Sequence, residues 1–435
     1  MIEFLKQKNL EVKNNRLFIG GCDTVELAEK YGTPIYVINK DTIVQRYQSL
    51  KNALLQHYDK IKIHFAAKAN TNIAILKILN NEGAYLDCVS TGEIYLALEA
   101  GFSPNKIIYT GNNYRDDEVK FALEKGVMIN LDALSQIKRL VNVLDTVNME
   151  KPLISFRVNP EFGGGFHDHC ITAGPDIKFG ILDSEIVEAY KKAQQYGFTK
   201  FGIHTHIGSG ILDISTFKVA AQKYLDIISK IKKNLDINFE FVNFGGGLGI
   251  PYRATDQPLD LNKYSKTILE MFKEKMKELN LKNVKFCNEP GRYIVAESTI
   301  ILSQVNTIKE TRTKSWIGID AGFNVLLRPT MYGSYHEIVV ANKMEYTGKQ
   351  LKYDIAGPIC ESGDVIAKDR ILPEIGENDL IAILDAGAYG FSMSSSYNSR
   401  LLPAEIMVSN GRSQIVRERQ VYEDLTRHQH FYQDL

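Results

Sequence analysis

Residues 61–72 read IKIHFAAKANTN, and residues 73–81 continue IAILKILNN. A short run rich in β-branched and aromatic residues ends at Lys68, and an apolar stretch with helical spacing follows from about 72 to 81. The unit is strand, turn, helix, with a lysine at the strand's far end. It sets the pattern for the next two hundred residues.

Seven further runs resemble the first: 85–89 (YLDCV), 107–110 (IIYT), 128–131 (MINL), 153–158 (LISFRV), 201–206 (FGIHTH), 239–244 (FEFVNF) and 285–288 (KFCN). Helical stretches alternate with them near 91–101, 115–125, 133–147, 183–197, 213–233 and 261–279, and an extra helix near 41–57 precedes the first. Ser90 and Glu93 have capping-box spacing, and Asp213 suits the N-cap of the long helix after it. Eight strands alternating with helices point to an α/β fold, a (β/α)8 TIM-like barrel over residues 36–290. An open doubly wound sheet is the alternative.

Outward from the barrel the pattern changes. Residues 10–21 (LEVKNNRLFIGG) alternate around Asn14-Asn15 as a hairpin. After about 290 the helical period fades, and 298–308, 315–320, 353–357, 380–387, 404–410 and 413–419 read as strands, with a turn at SNGR (409–412). A C-terminal all-β domain over 291–435 is expected, joined by the N-terminal segment 1–35.

Composition narrows the function. Of 435 residues, Lys plus Arg (52) balances Asp plus Glu (52), so no field of one sign draws nucleic acid or an anionic membrane. The five cysteines, Cys22, Cys88, Cys170, Cys287 and Cys360, are scattered without a CxxC pair, which favours a reducing compartment. The opening MIEFLKQKNL lacks the apolar core of a signal peptide, and no apolar run is long enough to span a bilayer. A cytoplasmic enzyme is expected.

Barrel enzymes carry their chemistry at the C-terminal ends of the strands. Here those ends supply Lys68, Asp87, Asn159, His206, Gly245–Gly247 and Glu289. A lysine at such a place can form a Schiff base with an aldehyde once its charge is suppressed, or it can simply snorkel out of the rim. Bare amides at Gly245, Gly246 and Gly247 can cradle a phosphate, with the Ser209 hydroxyl beside them; equally, the glycines can be a plain turn. Glu289 can hold the nitrogen of a pyridine ring or pair with a neighbouring arginine. His204 and His206 face one way on their strand, which suits a metal, a core histidine or a ring stacked on a cofactor; His167 and His169 raise the same question. No third metal ligand has suitable local spacing, and no metal is expected. In the C-terminal region Cys360 stands beside Glu361, where a thiol can deliver a proton or simply pack as a small apolar residue. Arg328 has the forked geometry for a carboxylate, though arginines more often end in surface ion pairs. Tyr332 lies four residues on, and Tyr389 lies in DAGAYGFSMSSSYNSR.

Read together, KANTN (68–72), HIGSG (206–210), GGGLGIPY (245–252), EPGRYI (289–294), RPTMYGSYHEI (328–338), CESGD (360–364) and DAGAYGFSMSSSYNSR (385–400) resemble the fold-type III pyridoxal phosphate decarboxylases. Within them the likeness is to the diaminopimelate decarboxylases. It runs from about residue 15 to 425, in the same order. It implies a homodimer with shared active sites and the decarboxylation of meso-2,6-diaminopimelate to L-lysine. It also implies that Lys68 carries pyridoxal 5'-phosphate, that His206 stacks on its ring and that Glu289 pairs with the ring nitrogen. Asp87 joins the cofactor site, and Ser209, Gly245–Gly247, Gly291 and Arg292 hold the phosphate region. Tyr389 closes over the cofactor, and Cys360 is the proton donor, entering with Glu361 from the partner. Arg292, Arg328, Tyr332, Glu361 and Tyr389 are the implied substrate contacts. Relatives acting on lysine, ornithine, arginine or carboxynorspermidine are the alternative, but ornithine- and arginine-type enzymes usually place Asp after the cysteine and lack the LLRP…YG stretch. A non-catalytic pyridoxal phosphate-binding regulator is less consistent with the retention of Lys68 and Cys360, and CESGD argues against an alanine racemase. The chain departs from the common pattern at FAAKAN, HIGSG and the segment 163–180.

Overall fold

The computed structural model describes residues 1–165, 172–174 and 176–432. His167, His169 and Cys170 therefore lie outside the described residues. Two compact units emerge: one of Met1–Ile43, Tyr252–Asp256 and Val295–Leu435, the other of Val44–Pro251 and Gln257–Ile294.

The second unit is a closed barrel. Its strands are Ile61–Ala66, Tyr85–Cys88, Ile107–Tyr109, Met128–Leu131, Ile154–Asn159, Phe201–Thr205, Phe239–Asn243 and Lys285–Asn288. Each pairs in parallel with the next, and the last pairs with the first, Asn288 opposite Ile63. A two-residue strand, Ile181–Leu182, is added beside Ile154–Asn159. The helices between strands fall where the apolar spacing places them, from Ile73–Asn81 to Leu261–Glu278. Their starts follow the local chemistry. Asp213 accepts the N–H groups of Ser215 and Thr216. Ser90 accepts from Glu93, whose side chain returns to the N–H of Val89, one residue before the cap.

Alternation along each strand sends every second residue into the barrel. Near its middle, Ile108, Phe241 and Cys287 pack together, with Met128 and Leu153 against them. Gly202 makes room for this cluster: a Cβ there would lie 2.2 Å from the Phe241 ring. Toward the C-terminal ends the inward residues turn polar, and that change positions the site.

The first unit is rich in sheet. Its main strands run in the order Val365–Pro373, Gln350–Ala356, Ser315–Ile319, Thr299–Glu310, Ile35–Asn39, Ala404–Ser409, Arg412–Arg417. Ile35–Asn39 and the first half of Thr299–Glu310 are buried on both faces. Tyr36, Ile301 and Val305 enter one apolar cluster, while Ile35, Val37, Ile300 and Leu302 enter the other. The hairpin Leu10–Lys13 and Arg16–Ile19 turns through Asn14 and Asn15, both at positive φ (51° and 63°), as a two-residue turn requires. Its Leu10, Leu17 and Ile19 join the second cluster. Lys8, buried, bonds Asp385 at 2.9 Å and Glu297 at 3.1 Å.

Two short helices, Ile2–Gln7 and Thr24–Tyr31, and the strands Ile338–Val340 and Val365–Pro373 were not expected from the sequence. The expected boundary at residue 35 falls within Ile35–Asn39, which pairs with Thr299–Glu310 and Ala404–Ser409 and so belongs to the sheet-rich unit. Among the described residues no helix is long and apolar enough to cross a membrane.

Gly202→Ala should destabilise the protein by about 1–3 kcal/mol, because the added methyl overpacks the barrel interior against Phe241. A urea titration followed by circular dichroism reads this as a lowered midpoint with an unchanged slope.

Candidate active site

Strand Ile61–Ala66 ends in a single 3-10 turn, Ala67–Ala69, which puts Lys68 just past the strand's C-terminal end. Beyond it, Asn70 accepts the N–H of Asn72, and Asn72 accepts that of Ala74 to start the next helix. The Lys68 amine lies 3.0 Å from Oδ2 of Asp87 on the neighbouring strand, and the lysine side chain keeps 34 % of its exposure while Asp87 has none. The other carboxylate oxygen of Asp87, Oδ1, is buried with no hydrogen-bond partner among the described residues. Burial and the nearby charge of Glu289 raise the Asp87 pKa, and Lys68 opposes the rise. Lysine and aspartate thus form a pair at the barrel mouth, with the lysine side chain partly exposed.

Glu289 is itself buried and is gripped from two sides. Asn243 donates Nδ2–H to its Oε1 at 2.7 Å, and His204 Nε2 meets its Oε2 at 2.9 Å. The Asn243 oxygen accepts the Gly245 N–H at 2.9 Å, a group that can only donate, so the orientation of this amide is fixed. Burial alone would raise the Glu289 pKa, but His204, and then Lys68, reverse this and hold it well below the usual carboxylate range. The carboxylate stays ionised inside the barrel.

His206, two residues on and facing the same way, accepts the Gly246 N–H on Nδ1 at 3.1 Å, which leaves Nε2 to carry the proton. Desolvation, with the Lys68 and Arg157 cations nearby, holds its pKa well below the ordinary histidine value, so the ring is neutral.

The glycine loop is shaped by crowding. A Cβ on Gly245 would lie 2.3 Å from the Thr205 oxygen, and one on Gly246 would lie 2.1 Å from the Glu289 oxygen. Gly245 and Gly247 also hold φ of 65° and 102°. The loop is laced to Ile211, the residue after HIGSG, through Ile211 N–H to the Gly247 oxygen and Gly249 N–H to the Ile211 oxygen. Ser209 accepts from Arg292 Nε at 3.3 Å and Nη2 at 3.1 Å.

These groups suit pyridoxal phosphate. An amine at the strand end meets the need of an aldehyde, an ionised buried carboxylate that of a protonated ring nitrogen, a neutral imidazole that of a ring face, and a guanidinium with a hydroxyl that of a phosphate. Lys68, Asp87, His206, Ser209, Gly245–Gly247, Glu289, Gly291 and Arg292 all belong to the barrel unit. Asn159, by contrast, clamps Gly174 through the latter's N–H and C=O and is absorbed in holding a loop. The sequence reading missed Asn243 and the true task of His204; both were legible as inward positions one strand step before Gly245 and His206. Among the described residues no group of three His, Cys, Asp or Glu is arranged to hold a metal.

The other expected residues lie in the sheet-rich unit. Arg328, 1 % exposed, bonds His336 Nε2 at 2.7 Å, and His336 Nδ1 faces the Leu384 carbonyl, so the imidazole accepts from the arginine. Arg328 opens the short helix Arg328–Tyr332, which is closed by Gly333 at positive φ. Cys360 and Glu361 are exposed in a loop pinned by Asp364, which accepts the N–H groups of Phe323 and Ile359. Tyr389 holds a φ of 59°, unusual for a bulky residue.

A family model described as "Pyridoxal-dependent decarboxylase, pyridoxal binding domain" matches residues 40–296. The chain is 50% identical, over 97% of its own length and 97% of the relative's, to the diaminopimelate decarboxylase of Methanothermobacter thermautotrophicus. A crystal structure of diaminopimelate decarboxylase from M. jannaschii superposes with a TM-score of 0.92 at 34% identity, covering 99% of each chain. A second from that organism, in complex with L-lysine, gives 0.91 at 33%, covering 98% of this chain and 99% of the other.

A buried histidine beside this site gives a pH test. Burial pushes His64 down to about 4, and its Nδ1 has no hydrogen-bond partner among the described residues. The unfolded chain takes up a proton near the ordinary value of 6.5, whereas the folded one does not until about 4. The stability that this difference contributes is present in full above pH 6.5 and is lost as pH falls through the window to 4. Between pH 7 and 4, wild type should lose about 3 kcal/mol more stability than His64→Leu, measured by urea denaturation.

Proposed function

We propose, for a chain that belongs to the diaminopimelate decarboxylase family, that Lys68, Glu289 and His206 are the residues on which its chemistry turns. The enzyme converts meso-2,6-diaminopimelate to L-lysine and CO2, the closing step of lysine biosynthesis, with pyridoxal 5'-phosphate as cofactor. The observation that carries the residue assignment is the pairing of a partly exposed Lys68 with Asp87 next to a buried, ionised Glu289.

When bound, pyridoxal phosphate supplies an electron-withdrawing ring for the electron pair left behind as CO2 departs. Lys68 holds it through the amine and is kept at the strand end by Asp87. Glu289 keeps a proton on the ring nitrogen, which a neutral carboxylic acid in its place would not do. His206, uncharged and fixed in one tautomer by Gly246, lies against the ring without competing for that proton. Ser209, the amides of Gly245–Gly247 and Gly291, and Arg292 receive the phosphate; the Arg292–Ser209 bond supports this role. Arg292 also belongs to the substrate contacts.

The remaining roles fall to the sheet-rich unit. Arg328 is preset by His336 to meet the distal carboxylate of the substrate, with Tyr332 and Glu361 for the distal polar groups and Tyr389 closing over cofactor and substrate. Cys360 delivers the proton to Cα from the partner subunit of a homodimer; its exposure in the single chain, on a loop pinned by Asp364, supports this reading. The four cysteines among the described residues are all free, in keeping with a cytoplasmic enzyme.

Two experiments test these roles. Borohydride reduction of the holoenzyme followed by peptide mass spectrometry should place the pyridoxyl label on Lys68, and Lys68→Ala should lose both label and lysine production from meso-diaminopimelate; a label elsewhere removes Lys68 from its role. Mixing and refolding Lys68→Ala with Cys360→Ala should restore about a quarter of wild-type activity, since half of the dimers are then mixed and each carries one intact site. No recovery would show that both residues serve one site from the same chain.

A further inference from the structure

A polar chain crosses the barrel interior behind Glu289. Ser155, on Ile154–Asn159, donates its hydroxyl to Oδ1 of Asn130 at 2.5 Å. Asn130, on Met128–Leu131, turns Nδ2 toward Nδ1 of His204 at 3.3 Å. His204, on Phe201–Thr205, then meets Glu289 through Nε2 at 2.9 Å. Ser155, Asn130, His204 and Glu289 are all less than 5 % exposed, so water does not take the place of these partners.

The chain has a direction. With Oδ1 of Asn130 committed to Ser155, the amide faces His204 with its N–H, and Nδ1 must accept. A neutral imidazole then carries its proton on Nε2 and donates it to Glu289. With the reversed amide, Nδ1 would carry a proton; a neutral ring would then set a bare Nε2 against a carboxylate oxygen, two acceptors at hydrogen-bond distance in a buried place, and only a doubly protonated ring would avoid this. We propose that His204 is a positioning residue: the Ser155–Asn130 pair sets its tautomer, and its Nε2–H bond, opposite that of Asn243, keeps Glu289 aimed as the acceptor for the ring nitrogen of the cofactor. This rests on the assignment of Glu289 to that nitrogen.

The test compares two ligands that differ only there. Apoenzyme is titrated with pyridoxal phosphate and with its 1-deaza analogue, in which C–H replaces the ring nitrogen, and binding is read by absorbance. Wild type should favour pyridoxal phosphate by about tenfold or more, as a buried charge-assisted hydrogen bond predicts. In His204→Leu both ligands weaken if the site loosens, but only the loss of the Glu289 interaction brings their ratio toward one. His204→Gln, which retains an N–H donor, should keep most of the preference. A wild type without preference would remove Glu289 from the ring nitrogen and the proposal with it. A preference intact in His204→Leu would overturn the role of His204 alone. Should that variant not fold, nitrogen-15 spectra of histidine-labelled wild type decide the matter, with the His204 signals identified by their loss in His204→Gln. The proposal requires a protonated Nε2 and a bare Nδ1, and either the opposite tautomer or a doubly protonated ring overturns it.

Discussion

An ionised carboxylate inside a protein is costly unless donors surround it, and the barrel is organised around one. Glu289 needs Asn243 and His204 on strands to one side of it, and each of these needs a partner of its own. The demand spreads from strand to strand: Asn243 to the Gly245 amide, His204 to Asn130, Asn130 to Ser155. Lys68 and Asp87 form a second ion pair within reach of the same charge. Below this layer the interior is apolar, with Phe241 filling the space left by Gly202. The mouth and the floor of the barrel thus obey opposite rules along the same strands.

The eight barrel strands were legible because each is a short apolar run closed by a polar residue, and the helices because their apolar spacing and caps agree. The hairpin was legible from Asn14-Asn15 alone. What escaped shows where local pattern ends. The helices Ile2–Gln7 and Thr24–Tyr31 are too short for periodicity to register, and Val365–Pro373 carries the charged stretch Lys368–Arg370 in its middle. Ile35–Asn39 was not read as a strand, since burial on both faces erases alternation; its pairing reveals its unit.

The site divides in the same way. Residues with conspicuous chemistry at strand ends, Lys68, Asp87, His206 and Glu289, could be found by position. Asn130 and Ser155 could not, because their side chains are ordinary and their significance lies in which groups they orient. The glycines were noticed for the right loop, but with too simple a cause: Gly245 and Gly246 are bare because the backbone of neighbouring strand ends leaves them no room. Arg328 was read as a fork suited to a carboxylate or as a surface ion pair; that its side chain is buried and held by His336 was not legible.

The two units also differ in how their pieces are distributed along the chain. The barrel is built almost entirely from one continuous stretch, whereas the sheet-rich unit joins the first 43 residues to the last 140 or so, and Lys8 reaches Asp385 across 377 positions. During synthesis on the ribosome the strand Ile35–Asn39 precedes the barrel, yet the strands that pair with it, Thr299–Glu310 and Ala404–Ser409, follow the barrel. The barrel can close while the nascent chain is still growing; the strand ahead of it must wait, with both apolar faces unpaired, until those beyond the barrel have been made. Of the two units, the sheet-rich one therefore spends the longer time with exposed apolar surface and unpaired strand edges.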